Sequence, residues 1–133
     1  FSTWREPLVL VLHVGYAFVP LGFVAVGIAT LAPAAVAPSA ALHVWTAGAM
    51  VLMTLAVMTR ATLGHTGRDL TAGRATDAIY LAALVAVVAR VASALAPAAA
   101  TGLLHLAAIA WIAAFAGFAL WYGPMLLSRR AAA

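Results

Sequence analysis

Long runs of apolar residues divide the chain into four segments separated by short polar or proline-containing breaks. The segments cover about residues 7–31, 40–60, 77–95 and 101–127. A helix rises about 1.5 Å per residue, so roughly 20 apolar residues cross a hydrocarbon core about 30 Å thick. The pattern therefore predicts an all-α, transmembrane four-helix bundle in which residues 1–133 form a single domain.

The breaks predict how the helices begin, bend and connect. Pro20 interrupts the first segment and should kink it, because proline has no backbone N–H to donate. We expect Thr76 or Asp77 to cap the third helix, since short polar side chains favour that position. The loops at 32–39 and 96–100 are short, which favours antiparallel packing of successive helices.

Composition and charge support a membrane protein and orient it. Hydrophobic residues make up 67% of the chain, against about 45–50% in soluble domains. Apart from Arg90, the arginines fall on one side of the predicted bundle, at Arg5, residues 60–74, Arg129 and Arg130. Cytoplasmic loops are enriched in arginine, so we predict that both termini are cytoplasmic. A membrane location explains why the basic residues behind the net charge of +4 lie at the ends of the segments. No nucleic-acid partner is therefore expected.

Several kinds of chemistry are excluded by the residues available. The chain has no cysteine, which removes thiolate metal sites and disulfides. Its three acids are Glu6, Asp69 and Asp77, too few and too scattered for hydrolytic carboxylate pairs or a Ser/His/Asp set. The glycines at 64 and 67 follow a helix and precede no Lys-Ser/Thr pair, so they form no P-loop. Whether the protein is an enzyme is left open.

His43, His105 and Arg90 are predicted at one level of the bundle, near the end opposite the termini. Neutral imidazole ligates both haem iron and copper, so His43 and His105 are candidate axial ligands of haem b. Arg90 would contact the haem propionates. The alternatives are histidines that bond to loop carbonyls, and an arginine that extends to the outer headgroups.

Two helical stripes carry polar or charged residues that are unfavourable in contact with lipid. Both stripes are expected to face the bundle interior. The stripe on the second span comprises His43, Thr46, Met50, Met53, Val57 and Arg60. The stripe on the third span comprises Thr76, Tyr80, Ala83, Val87, Arg90 and Ala94.

A second group of polar residues lies toward the termini. His13 and His65, with Arg60 and Arg68, form a candidate metal or anion cluster. For copper, the candidate ligands are His13, His43 and His65, with Met50 as a soft ligand at the haem level. The alternatives are a core histidine at His13 that donates to a carbonyl freed by the kink, and methionines that only pack.

Four stretches of the chain closely resemble the NnrS family of membrane proteins. The most specific is residues 55–68, LAVMTRATLGHTGR, preceded by the similar run at 41–50. Residues 12–16, LHVGY, and 121–127, WYGPMLL, are similar to the flanking segments of that family. The resemblance covers essentially the whole chain and extends to His13, His43 and His65. Family members carry further spans, so this chain resembles their last four helices.

The resemblance implies a multi-pass protein of the bacterial inner membrane that binds haem and copper and is linked to nitric oxide metabolism or nitrosative stress. Additional transmembrane helices or other subunits are expected as partners, beside membrane lipid. Two alternatives stay open. One is a cofactor-free membrane subunit that packs in a larger complex, and the other is a transporter fragment, against which the lack of an intramembrane carboxylate counts.

Overall fold

The computed structural model describes residues 6–127, which form four long helices joined by short connections. The helices are α1 (Pro7–Leu31), α2 (Pro38–His65), α3 (Arg74–Leu95) and α4 (Ala100–Leu127), with a 3-10 turn at Pro97–Ala99 before α4. All four are long and apolar enough to cross a membrane, and residues 6–127 contain no strand. The predicted all-α fold with four spans is confirmed. The predictions that concern Arg5, Arg129 and Arg130 lie outside the described residues.

Neighbouring helices run antiparallel. On α1, Gly15 faces Met53 of α2, whereas Gly22 faces Trp45, which comes earlier in α2. We call the end where α1 and α3 begin the proximal end, and the end where α2 and α4 begin the distal end. The cytoplasmic placement of the proximal end stays a prediction.

Local interactions fix the helix ends at the proximal side. The Glu6 carboxylate accepts a hydrogen bond from the Leu8 N–H at 3.4 Å and caps α1. At the end of α2 the chain turns at Gly67, where φ is +69°, a conformation that favours glycine. The Arg68 N–H then donates to the Leu63 carbonyl at 2.9 Å. The helix therefore continues past Arg60, five residues beyond the predicted boundary.

The start of α3 also differs from the prediction. It begins at Arg74 with Gly73 as N-cap, so neither Thr76 nor Asp77 is the cap. Thr76 is instead buried within the first turns. Asp77 lies in the first turn, where the helix dipole favours a negative charge.

The core lies toward the proximal end and combines large side chains with two buried hydrogen-bonded pairs. Its buried members are Leu8, Val11, Leu52, Leu55, Ala56, Leu63, Ile79, Tyr80, Ala83, Ala114, Phe118 and Tyr122. Tyr80 shares a hydrogen bond with the Thr59 hydroxyl, which links α2 to α3. Thr76 and Tyr122 share another at 2.6 Å, which links α3 to α4.

Glycines allow α1 and α2 to approach closely. The Trp45 ring lies over Gly22, where an added Cβ would come within 2.0 Å of it. The Trp45 indole N–H donates to the Val19 carbonyl at 2.9 Å. Gly48 similarly accommodates the Phe18 ring. These contacts fix the rotation of α2 against α1.

The structure confirms one predicted interior stripe and overturns the other. On α3, Thr76, Tyr80 and Val87 are buried, as predicted. On α2, Met50 is 65% exposed and Arg60 is exposed, so the prediction that its polar stripe faces inward is wrong. The buried side of α2 is offset by one or two positions and carries Ala41, Val44, Gly48, Leu52, Leu55, Ala56 and Thr59. Close packing selects this side because small residues and leucines fit between neighbouring helices.

Candidate functional site

A cavity of about 370 Å³ opens between α2, α3 and α4 in the distal half of the bundle. Its lining is His43, Thr46, Ala47, Val51, Ala83, Ala86, Val87, Arg90, Leu104, Ala107, Ala108 and Trp111. Most of these side chains are small and apolar, and the strongest polar groups are His43 and Arg90. A mostly apolar cavity with a few convergent polar groups is the usual form of a ligand site. We call it the distal cavity.

His43 is half-buried on the α2 wall, and its tautomer is set by a backbone contact. Its Nδ1 lies 2.5 Å from the Ser39 carbonyl oxygen. A carbonyl only accepts, so Nδ1 carries the proton and donates. The Nε2 atom then keeps its lone pair, which is the arrangement found in histidines that ligate metals.

Arg90 is half-buried on the α3 wall, five residues before the helix ends. Its Nη1 donates to the Ser93 hydroxyl at 3.1 Å, and that hydroxyl donates to the Arg90 carbonyl at 2.7 Å. No carboxylate pairs with Arg90 among residues 6–127, since all three acids of the chain lie toward the proximal end. A charge at this depth is stable only when it is paired or wetted. The distal cavity therefore favours an anionic ligand group.

The α2 wall of the distal cavity is wound as a π-helix. The segment Val44–Met50 has this geometry and supplies Thr46 and Ala47 to the lining. π-Helical turns are rare and frequently occur at functional sites. Here the wider turn lies between His43 and Val51, which both line the cavity.

The structure brings together only part of the predicted distal group. His43 and Arg90 line one cavity, whereas His105 is exposed and lies outside the lining, although its neighbour Leu104 belongs to it. Met50 is exposed and is also outside the lining.

The other predicted site residues lie in the proximal half. His13 is exposed, not in the core, and its Nδ1–H donates to the Val9 carbonyl at 2.9 Å. His65 ends α2, with Arg60 one turn earlier and Arg68 just beyond the helix. Across residues 6–127, no three His, Cys, Asp or Glu side chains are grouped so that they could hold a metal ion.

Sequence reasoning missed two features of the distal cavity. Ser93 orients the Arg90 guanidinium from the next turn of α3, and its spacing of three residues on one helix was the available signal. Trp111 forms part of the wall from α4 and packs at a tilt against Phe115, with ring centroids 4.4 Å apart. No periodicity in the alanine-rich α4 sequence marks that face.

Four apolar helices of membrane-spanning length, three of which line the distal cavity, define an all-α multi-pass membrane protein. The model of one family, described as NnrS protein, matches residues 1–130. The chain therefore belongs to the NnrS family. No curated protein and no solved structure matches it.

Proposed function

We propose that this protein binds haem b in the distal cavity and takes part in nitric oxide metabolism or in protection against nitrosative stress. The observation that carries the proposal is the pairing of His43 and Arg90 on the walls of one cavity. The family membership supports the link to nitric oxide.

The residues that line the distal cavity are of the chemical types that bind a haem group. His43 Nε2 would bind the haem iron, because Nδ1 already donates to the Ser39 carbonyl. Arg90 would hold the propionates, since it has no carboxylate partner within residues 6–127. Alanine and valine side chains would contact the apolar macrocycle. A haem held there would supply an iron atom that binds diatomic gases or transfers single electrons.

Copper is the second metal of the proposal, with His43 as a candidate ligand in the distal half and His13 and His65 as separate candidates in the proximal half. Met50 is not retained as a donor, because it lies outside the distal cavity. His13 and His43 each donate Nδ1–H to a backbone carbonyl, so each keeps an Nε2 lone pair for a metal. Copper content is tested on the same sample as haem, by metal analysis.

The first experiment is an absorption spectrum with iron analysis of the protein purified in detergent. We expect a Soret band and iron, and we expect His43→Ala to remove most of both. Arg90→Leu should weaken haem retention without changing the residue that binds the iron. A preparation without iron and without a Soret band contradicts the proposal and favours the cofactor-free subunit.

The matched control is His105→Ala, which removes the other distal imidazole. Because His105 lies outside the cavity lining, we expect its spectrum to equal that of the unmodified protein. A shift from a low-spin to a high-spin spectrum in His105→Ala would instead assign the second axial ligand to His105.

A further inference from the structure

The distal cavity has a back wall on α3 and exposed rims on α2 and α4. Three of the α3 residues that line it, Ala83, Ala86 and Val87, are buried. The lining also includes Thr46 on α2 and Ala108 on α4, and both of these residues are exposed. The cavity therefore opens sideways, between α2 and α4. We call this opening the lateral mouth.

The helices on the two sides of the lateral mouth are separated in the distal half. α4 packs chiefly against α3, and it contacts α2 mainly through Val51–His65, the part of α2 that follows the π-helical segment. On α4, Leu104 and Trp111 line the cavity but are 43% and 48% exposed. The gap between α4 and the first part of α2 accounts for this exposure.

The lateral mouth lies at the depth of the hydrocarbon. Thr46 is eight residues from the start of α2 at Pro38, and Ala108 is eight residues from the start of α4 at Ala100. Each therefore lies about 12 Å along its helix from the distal end. The hydrocarbon core is about 30 Å thick, so both rims lie inside it when the helices span the membrane. We expect lipid tails, not water, at the opening.

The side chains at the lateral mouth suit contact with lipid. Thr46 carries the one hydroxyl among the lining residues, and it donates to the Leu42 carbonyl of its own helix at 3.1 Å. The rest of the rim is alanine, leucine and tryptophan. The charged group of the cavity, on Arg90, is directed to Ser93, which lies closer to the distal end of α3. The mouth thus presents mostly apolar surface to an approaching ligand.

We propose that the distal cavity is entered from the membrane interior through the lateral mouth, and that its exchangeable ligand is a small uncharged gas dissolved in the lipid. Apolar solutes leave water for apolar surroundings, so such a gas is concentrated where the mouth opens. A small inorganic anion is disfavoured at the same depth by the cost of losing its hydration. The entry route stands without haem, whereas the choice of a gas rests on the proposed function.

Single-cysteine variants test the lateral mouth, because the chain has no cysteine of its own. Thr46→Cys and Ala108→Cys each place a nitroxide label on one rim. Ile109→Cys is the lipid-facing reference at nearly the same depth, since Ile109 is 66% exposed and outside the lining. Ala98→Cys, in the turn before α4, is the reference outside the spans.

Collision rates of each label with oxygen and with a water-soluble nickel chelate are measured in lipid vesicles. We expect the ratio of oxygen to nickel collisions at both rims to equal that at residue 109 and to exceed that at residue 98 several-fold. A ratio like that at residue 98 would mean that the mouth opens to water, which would overturn the proposal. Low collision rates with both reagents would mean that protein covers the mouth, and would overturn it as well.

A rim substitution tests whether a gas uses this route. Leu104→Trp enlarges a rim side chain, and Ile109→Trp adds the same ring outside the cavity lining. We expect Leu104→Trp to slow carbon monoxide binding to the reduced haem protein several-fold after flash photolysis, and Ile109→Trp to leave the rate unchanged. Equal rates in the two variants would overturn gas entry through the mouth. A protein without a Soret band would contradict the proposed function, while the labelling result would still decide where the mouth opens.

Discussion

The proximal and distal halves of the bundle are packed with side chains of different size and chemistry. The proximal half buries leucines, aromatic rings and two tyrosine–threonine pairs. The distal half buries mainly small residues, such as Ala40, Ala41 and Ala89, and leaves the distal cavity open. The proximal half therefore holds the helices together, and the distal half has the space in which a ligand fits. Substitutions should separate these two roles.

The largest effect is expected from removing a large side chain of the proximal core. Tyr122 is 1% exposed, so Tyr122→Ala leaves a cavity and should lower the free energy of unfolding by about 3–5 kcal/mol. Leu120→Ala is the control, because Leu120 is 78% exposed on the same helix. Unfolding is followed by circular dichroism in mixed micelles. Equal losses in both variants would mean that the proximal core is not the stabilising region.

A matched pair of insertions on α4 compares the halves directly. Ala114 is buried in the proximal core, whereas Ala108 lines the distal cavity. Ala114→Phe should cost about 1–3 kcal/mol through overpacking, and Ala108→Phe should change stability by no more than about 0.5 kcal/mol. Ala108→Phe should also remove the Soret band by filling the cavity. If Ala108→Phe destabilises the protein as much as Ala114→Phe, the distal cavity has no room for an added side chain.

Smaller effects are expected from the buried hydroxyl pairs. Tyr80→Phe and Tyr122→Phe each remove one interhelical hydrogen bond while keeping the ring. Such bonds contribute about 0.6 kcal/mol on average and at most about 1.7 in membrane proteins. The exposed Tyr16→Phe is the control and should leave unfolding of the purified protein unchanged. A loss as large in Tyr16→Phe would contradict the assignment of the stabilising tyrosine–threonine hydrogen bonds to the proximal half.

The smallest effect is expected at Met50, which was predicted as a soft ligand but lies outside the distal cavity. Met50→Leu should leave the absorption spectrum, the metal content and the stability unchanged. His43→Ala in the same preparation supplies the positive result for comparison. A changed spectrum in Met50→Leu would place a methionine at the cofactor after all.

The sequence predicted the helices well because membrane crossing depends on length and hydropathy, which are local properties. It also predicted that His43 and Arg90 share a level, since depth follows from counting residues. The prediction of which side of α2 faces the bundle was wrong, because it assumed that charged residues such as Arg60 face inward. Rotation depends on contacts with other helices, here Gly22 with Trp45 and Gly48 with Phe18. The position of His105 relative to the cavity could not be predicted either, since apolar residues, Leu104 and Leu106, flank it on both sides in sequence.

The π-helical segment Val44–Met50 has a consequence for length changes in this chain. A π-turn holds more residues than an α-turn. The direction of the His43 side chain therefore depends on the number of residues between His43 and Val51. Deleting one residue there would turn the first six residues of α2 by about 100° relative to the rest. A deletion of one residue in a loop would leave the helices that line the distal cavity in place. The position of His43 is thus sensitive to insertions and deletions within Val44–Met50, as well as to substitutions.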